Sequence, residues 1–141
     1  MCLKTKMLLT PPKNLVDITG IDIQRLLVTE FPKANIFMSD STYKTTSIDE
    51  LLRFIKSDPT NEYRYISEYH DCDDFSFQLM GSIHSVEWGA LPFGIVWLSK
   101  PGGNHAMNIF IDNEHNVFLI EPQNDVFYIC PPDHVPYLIV I

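Results

Sequence analysis

Helix-forming and strand-forming patterns occupy different halves of this 141-residue chain. Before residue 85, apolar side chains recur at the spacing of an amphipathic helix, as Ile23, Leu26 and Leu27 do. After residue 85, short runs rich in Val, Ile and Phe alternate with turn clusters, which is typical of strands joined by tight loops. This order disfavours βαβ units. It predicts an α+β fold, with helices from the N-terminal half packed on an antiparallel sheet from the C-terminal half.

The individual elements follow from the same patterns. A first helix is predicted over 21–31, and a second begins after Ser47, because Ser47 and Glu50 have the spacing of a capping box. Residues 1–14 are predicted to be a flexible arm, since they contain two adjacent prolines, and residues 15–141 to be a single domain. The patterns also predict a polar loop at 39–44 and strands at 35–38, 93–98, 105–111, 117–120, 126–129 and 137–141.

Charge and composition limit the partners of the chain. The net charge of −8 and the pI of about 4.9 argue against binding to a phosphate backbone. No apolar stretch is long enough for a membrane span or a signal-peptide core. The three cysteines lack the regular spacing of a disulfide framework. We therefore expect a cytoplasmic protein with neither nucleic acid nor membrane as a partner.

The most acidic stretch of the chain, residues 69–81, has a cysteine within it. Helical spacing begins at Cys72, with Asp71 as the predicted N-cap and Gly81 as the predicted end of the helix. The first turn of a helix stabilises a thiolate, whereas neighbouring carboxylates oppose it because like charges repel. A reactive Cys72 therefore needs a cationic partner. Without one it is a buried structural residue, the more common role of a free cysteine.

A histidine and a carboxylate further along the chain supply such a partner and its support. His105 begins an apolar strand after a glycine pair, where the backbone can approach another element closely. Glu121 ends the next strand and precedes a proline. A cysteine, a base and an acid that orients the base are the groups of a cysteine hydrolase. The pattern predicts Cys72, His105 and Glu121 as catalytic residues, and Cys2 and Cys130 as structural ones.

The acidic side chains also allow a metal-binding interpretation. Calcium takes several oxygen ligands from loops, and Asp73, Asp74, Gln123 and Asp125 are candidate ligands. Their spacing is not that of an EF-hand loop, and a zinc site is disfavoured because a frame of four ligands is absent. Taken singly, each carboxylate is also explained by helix capping or by solvation. Calcium is therefore a candidate ligand, and no cofactor is required.

Three segments taken together resemble a known family. They are Asp-Cys-Asp-Asp-Phe at 71–75, Gly-Gly-Asn-His-Ala-Met-Asn at 102–108 and Ile-Glu-Pro-Gln at 120–123. These segments resemble the papain-like domain at the C-terminus of the Marasmius oreades agglutinin, and related small phage and bacterial proteins. The resemblance extends over residues 20–130.

The resemblance implies a papain-like fold with Cys72 as nucleophile, His105 as base and Glu121 as the residue that orients the base. It also implies calcium activation and dimerisation, which makes a homodimer a candidate assembly. The sugar-binding domain of the agglutinin has no counterpart here, so carbohydrate is not an expected partner. The predicted function is a cysteine hydrolase, a peptidase or amidase with a peptide or amide substrate, of phage or bacterial origin. The alternative is a catalytically idle papain-like module used for binding or dimerisation.

Overall fold

The computed structural model describes residues 9–85 and 87–141. Its three α-helices are α1 (Gly20–Glu30), α2 (Ile48–Ile55) and α3 (Cys72–Ile83), and a short 3₁₀ turn lies at Thr60–Glu62. The strands are β1 (Val16–Thr19), β2 (Asn35–Phe37), β3 (Thr42–Thr45), β4 (Phe93–Lys100), β5 (Gly103–Ile111), β6 (Val117–Glu121), β7 (Val126–Ile129) and β8 (Val135–Val140).

A six-stranded sheet forms the centre of the molecule, in the order β2-β8-β4-β5-β6-β7. The two longest strands, β4 and β5, lie in its middle and pair antiparallel. β2 runs parallel to β8, whereas the other neighbours in the sheet are antiparallel. β1 and β3 form a separate two-stranded ribbon. The edges of the large sheet are therefore β2 and β7.

The apolar core has two layers, one on each face of the six-stranded sheet. Successive residues of a strand point to opposite faces, so Ile109 and Phe110 of β5 belong to different clusters. The cluster that contains Ile109 includes Ile23 and Leu27 from the buried side of α1. The cluster that contains Phe110 includes residues of α2 and α3. The helices thus cover both faces of the sheet.

The predicted fold class is wrong. Strands dominate the structure, and the large sheet is mixed, so the arrangement is not the papain-like α+β fold that the sequence resemblance implies. The N-terminal half contributes β1, β2 and β3, and β2 enters the sheet beside the last strand of the chain. A three-residue strand such as β2 shows no periodicity from which a distant parallel partner can be identified.

Two predicted boundaries also differ from the structure. The predicted loop at 39–44 contains the start of β3, and α3 continues beyond Gly81 to Ile83. A glycine inside a helix costs about 1 kcal/mol relative to alanine. The burial of Leu79 and Ile83, which are 1% and 0% exposed, outweighs that cost and extends the helix by two residues.

The predicted starts of the helices are close to those observed. α1 begins at Gly20, one residue before its predicted start. The hydroxyl of Ser47 accepts a hydrogen bond from the Glu50 N–H at 3.2 Å, as the capping spacing predicts. Asp71 is the N-cap of α3. Local capping chemistry is therefore read correctly from this sequence.

The predicted arm lies partly outside the described residues, which exclude 1–8. Its remainder contacts α2: the Arg53 guanidinium donates to Thr10 Oγ1 at 3.0 Å, and the Lys13 N–H donates to Glu50 Oε1 at 2.9 Å. Among the described residues, no helix combines the length and the apolar character that crossing a membrane requires.

Candidate functional site

α3 presents Cys72 in its first turn, as the sequence predicts. The main-chain N–H of the N-cap, Asp71, donates to the Asp74 carboxylate at 3.1 Å. The Cys72 carbonyl accepts a hydrogen bond from Ser76 Oγ at 2.8 Å, and Cys72 itself is half-buried. The first turn is thus fixed by side chains, and Cys72 lies at the positive end of the helix dipole.

His105 and Glu121 lie on the neighbouring strands β5 and β6. The Glu121 Oε2 atom is 2.6 Å from His105 Nε2, and the two side chains are only 16% and 13% exposed. The other carboxylate oxygen accepts a hydrogen bond from the Gln123 N–H at 3.3 Å. The carboxylate therefore fixes the orientation of the imidazole ring.

Cys72 lies on α3, which is hydrogen-bonded to β5, the strand that carries His105. The side-chain hydrogen bond that reaches Cys72 ends on its main-chain carbonyl, so contact between its thiol and His105 stays a prediction. α3 is joined to the sheet by Asn108 of β5, whose Nδ2 donates to the carbonyls of Ser76 and Gly94 at 3.0 Å each. We call Cys72, His105 and Glu121 the thiol site.

Asp71, Cys72 and Asp73 are brought together by the first turn of α3, with one potential metal-binding atom of each within 4.8 Å of the others. A hydrogen bond between the two carboxyl groups lowers the pKa of Asp71 and raises the pKa of Asp73. Carboxylate oxygens suit calcium, whereas a thiolate suits softer metals.

The other predicted calcium ligands have partners of their own. Asp74 accepts the hydrogen bond from Asp71, and Asp125 Oδ2 accepts one from Asn61 Nδ2 at 2.8 Å. Burial and the charge of Asp58 raise the pKa of Asp125 to about 6. Calcium binding by the predicted set of residues stays a prediction.

A surface that the sequence analysis does not single out lies just before α3. We define the tyrosine surface as Tyr63, Tyr65, Ile66 and Tyr69, which are 49%, 50%, 48% and 84% exposed. Its surroundings are acidic: desolvation and the charge of Asp71 raise the pKa of Tyr65. Exposed apolar groups concentrated in one segment are characteristic of a binding surface.

A tight turn holds the tyrosine surface in place. Ile66 and His70 exchange main-chain hydrogen bonds of 2.8 and 2.7 Å, and Glu68 between them has a φ of 64°. The His70 ring packs edge-on against Phe75 of α3, with centroids 4.5 Å apart, and lies 5.8 Å from the ring of Tyr63. The surface is therefore anchored to the start of the same helix that carries the thiol.

The sequence does contain a signal of this surface. The first two tyrosines flank a charged residue, Arg64, in a polar segment, whereas Phe93 and Phe110 stand in apolar runs and are fully buried. Aromatic residues placed among charged ones have few apolar neighbours in the sequence, so they are candidates for exposure.

Two shallow depressions lie on other parts of the described surface. One of about 260 Å³ is lined by Ile21, Gln24, Arg25 and Val28 of α1. The other, of about 190 Å³, lies between the end of α1 and β8. Neither includes a residue of the thiol site or of the tyrosine surface.

Comparison with known proteins identifies similar solved structures. No family model matches the chain, and no curated protein matches it. A structure described as the PSL1a-E64 complex has a TM-score of 0.77 and 26% sequence identity, over 89% of this chain. The Polyporus squamosus lectin bound to the human-type influenza-binding epitope Neu5Aca2-6Galb1-4GlcNAc has a TM-score of 0.75 and 24% identity, also over 89% of this chain. The chain spans 51% and 49% of the length of these structures, respectively.

The chain thus resembles fungal lectins, which confirms the relation to lectins and agglutinins in its coarse form. The finer predictions are corrected. The similar structures are of lectin type, and one holds a sialylated glycan, so the predicted cysteine hydrolase and its peptide or amide substrate are wrong. The exclusion of carbohydrate as a partner is wrong for the same reason. Neither structure is described as a papain-like domain or as coming from a phage or bacterium.

The error has a physical origin. The three motifs of the sequence identify candidate groups, of which the structure brings His105 and Glu121 into contact. A set of groups in a fold does not by itself determine whether a site turns over a substrate or only binds a ligand.

Proposed function

We propose that this chain is a carbohydrate-binding domain and that its ligand packs on the tyrosine surface. The observation that carries the proposal is the exposure of Tyr63, Tyr65 and Tyr69, at 49%, 50% and 84%, on one anchored turn. Apolar ring surface in contact with water is unfavourable, and a ligand with an apolar face relieves it. The polar surroundings require that the same ligand be polar on its other sides.

A sugar ring has this character. Its C–H face packs on an aromatic ring, and its hydroxyl groups donate hydrogen bonds to charged acceptors. Glu68 and Asp71 supply carboxylates next to the rings, and they are tied together because the Glu68 N–H donates to Asp71 Oδ2 at 3.2 Å. The main-chain bonds between Ile66 and His70 already order the turn, so binding loses little conformational entropy.

The similar structures are the reason to test carbohydrate, and they do not give the position of a ligand on this chain. The Polyporus squamosus lectin is described with a bound glycan, but at 24% identity the likeness concerns the fold alone. This chain spans 49% of that structure, so the place where the lectin holds its glycan is not transferred. The location at the tyrosine surface comes from the exposed rings of this chain.

The charges around the tyrosine surface favour a neutral sugar. Residues 63–74 contain four carboxylates and a single arginine, Arg64, within a chain of net charge −8. The carboxylate of a sialic acid would meet a negative potential there, which is unfavourable. We expect the neutral disaccharide Galb1-4GlcNAc to bind more tightly than the sialylated trisaccharide that contains it.

Titration calorimetry of the full chain with both sugars tests the proposal. Tyr65→Ala and Tyr69→Ala should each weaken binding of the neutral disaccharide at least about tenfold, since each removes a stacking face. The matched control is Tyr137→Ala, which removes an exposed tyrosine of β8 and should bind like the wild type. Absence of heat with either sugar at millimolar concentration, or an equal loss in the control, contradicts the proposal.

A separate observation favours a second function. The His105–Glu121 pair at 2.6 Å and the helix start that presents Cys72 are the parts of a thiol site. A similar structure, 26% identical, is described as a complex with E64, which is an epoxide that alkylates thiols. We propose that Cys72 attaches covalently to electrophilic ligands, with His105 taking its proton and Glu121 orienting His105.

In this reaction the Cys72 sulfur bonds to an epoxide carbon and the carbon–oxygen bond breaks. The resulting alkoxide takes up the proton that His105 removed. Intact-mass and peptide-mass analysis after incubation with E64 should show a single adduct on Cys72, formed at least about tenfold more slowly in His105→Ala. Cys130 is an internal control, because burial raises the pKa of its thiol to about 11. Equal labelling of Cys72 and Cys130, or no adduct, contradicts this function.

Calcium binding beside Cys72 is a further proposal, supported by the carboxylates of the first turn of α3. Calorimetry with calcium and with magnesium on metal-stripped protein tests it. If millimolar calcium produces no heat and no change in melting temperature, calcium binding beside Cys72 is contradicted.

A further inference from the structure

We infer that Asn108 is a positioning residue that holds α3 on β5 so that Cys72 lies towards His105. This inference rests on the thiol site of the second proposed function. Asn108 is 0% exposed within β5. Burying an amide is unfavourable unless its hydrogen bonds are satisfied, so an amide at a core position of a strand requires an explanation.

The two donors of Asn108 reach two different elements. Nδ2 donates to the Ser76 carbonyl in α3 and to the Gly94 carbonyl in β4, each at 3.0 Å. Ser76 is itself fully buried, and its Oγ donates to the Cys72 carbonyl at 2.8 Å. Asn108 thus links β4 to the main chain of Ser76, and the Ser76 side chain in turn holds the main chain of Cys72.

The strand that carries Asn108 also carries His105, and the next strand carries Glu121. His105 lies three residues before Asn108 on β5, and Asn108 pairs with Ile120, the residue before Glu121 on β6. A shift of α3 along the sheet would break the bond from Asn108 to Ser76. The amide thus fixes the position of the Cys72 main chain relative to the His105–Glu121 pair.

The side-chain oxygen of Asn108 indicates that an amide at this position does not serve to stabilise the fold. Oδ1 is buried without a hydrogen-bond partner among the described residues. An unsatisfied buried acceptor costs about 1–3 kcal/mol, which an apolar side chain of the same size would avoid. The role of the amide is therefore to hold α3 in position on the sheet through the two hydrogen bonds that Nδ2 donates.

Replacing the amide by an apolar side chain tests the inference. Asn108→Leu removes both donors at similar volume, and Asn108→Val is the substitute if the first variant does not fold. The control is Thr45→Val, which removes an equally buried bond, from Thr45 Oγ1 to the Ile111 carbonyl at 2.6 Å, at the other end of β5. The measurement is the rate at which iodoacetamide alkylates Cys72 at neutral pH, followed by peptide mass mapping.

We expect Asn108→Leu to slow alkylation of Cys72 at least about tenfold, because the thiol is displaced from the base. Thr45→Val should stay within about twofold of the wild type, even though it also loses stability. An unchanged rate in Asn108→Leu, or equal slowing in both variants, overturns the inference.

A double-mutant cycle with His105→Ala separates positioning from general loosening. If Asn108 acts by placing Cys72 beside His105, His105→Ala slows the wild type but has no further effect on Asn108→Leu. Equal slowing in both backgrounds overturns the positioning role while the thiol site stands. If His105→Ala does not slow the wild type at all, the thiol site fails, and the positioning role fails with it.

Discussion

The two ends of α3 have different surroundings. At its C-terminal end, which we call the closed end, Ile83 packs with Phe93 and Phe110, and all three are 0% exposed. At its N-terminal end, the open end, Cys72 is half-buried and the preceding turn leaves Tyr69 84% exposed. One helix thus joins a region that excludes water to a region that faces it.

This difference separates stability from binding. Apolar burial contributes about 25 cal/mol per Å² of surface removed from water, and the closed end is where α3 buries its apolar side chains. The open end carries carboxylates, an oriented imidazole and exposed rings, which contribute little to a core. We therefore expect substitutions at the closed end to change stability, and substitutions at the open end to change ligand binding or Cys72 reactivity.

The largest expected effect is at the closed end. Phe110→Ala should lower the free energy of unfolding by about 3–5 kcal/mol, because it leaves a cavity in a fully buried cluster. Tyr69→Ala at the open end should change it by less than about 0.5 kcal/mol, since the ring is exposed. Urea denaturation measures both. Similar losses in the two variants would show that the ends do not differ in this way.

A smaller effect on stability is expected at the partly buried His105–Glu121 pair. Glu121→Gln should lower the free energy of unfolding by about 1 kcal/mol, because a neutral amide replaces a charge in a 2.6 Å bond to a largely buried histidine. Asp133→Asn is the matched control, since it weakens a second histidine–carboxylate pair, at 2.8 Å, whose Asp133 side chain is 61% exposed.

The control should change stability hardly at all, because solvent screens an exposed pair. Thermal unfolding of both variants at neutral pH provides the comparison. A loss in Asp133→Asn as large as that in Glu121→Gln would mean that burial does not distinguish the two pairs.

The smallest effect concerns Asp125. The pKa of Asp125 is raised from 3.8 to about 6 in the folded protein, so its contribution to stability is fully present below about pH 4 and is lost as the pH rises through 6. Asp125→Asn should therefore stabilise the protein at pH 8 by less than about 1 kcal/mol, a value limited by solvent screening.

The Asp125→Asn variant keeps the local structure, because an asparagine oxygen can accept the bond from Asn61 and asparagine tolerates the positive φ of 61° at this position. Urea denaturation at pH 4 and pH 8 measures the effect. The gain at pH 8 should disappear at pH 4; a gain that is equal at both values would exclude titration of Asp125 as its cause.

Local patterns in the sequence predict much of the framework of the open end. The apolar run of β5 and the end of β6 locate His105 and Glu121, and their contact follows from the antiparallel pairing of consecutive strands. The start of α3 follows from the capping preference of Asp71. These features depend on neighbouring residues, so a single sequence is sufficient to identify them.

Other features depend on residues far apart in the chain. The parallel pairing of Ile36 with Ile139 joins two segments that lie far apart in the sequence, and neither segment has a pattern that identifies the other as its partner. The two-stranded ribbon pairs Ile18 with Tyr43 across a helix and β2. The exposure of the tyrosine surface depends on the turn at Glu68, which has a positive φ. Glutamate does not favour this conformation, so the sequence does not indicate the turn. Local patterns therefore could not give the fold class, and at the tyrosine surface they indicate exposed rings but not the turn that orders them.

A sugar bound at the tyrosine surface would change the chemical environment of the main-chain amides around it. Two-dimensional NMR of the isotope-labelled full chain, titrated with the neutral disaccharide, reports on each main-chain amide separately. We expect shift changes concentrated in residues 63–71, with the amides of Phe93 and Phe110 at the closed end unchanged. Shift changes confined to other surfaces, such as the depression on α1, or no shift changes at millimolar disaccharide, would show that the sugar does not bind at the tyrosine surface.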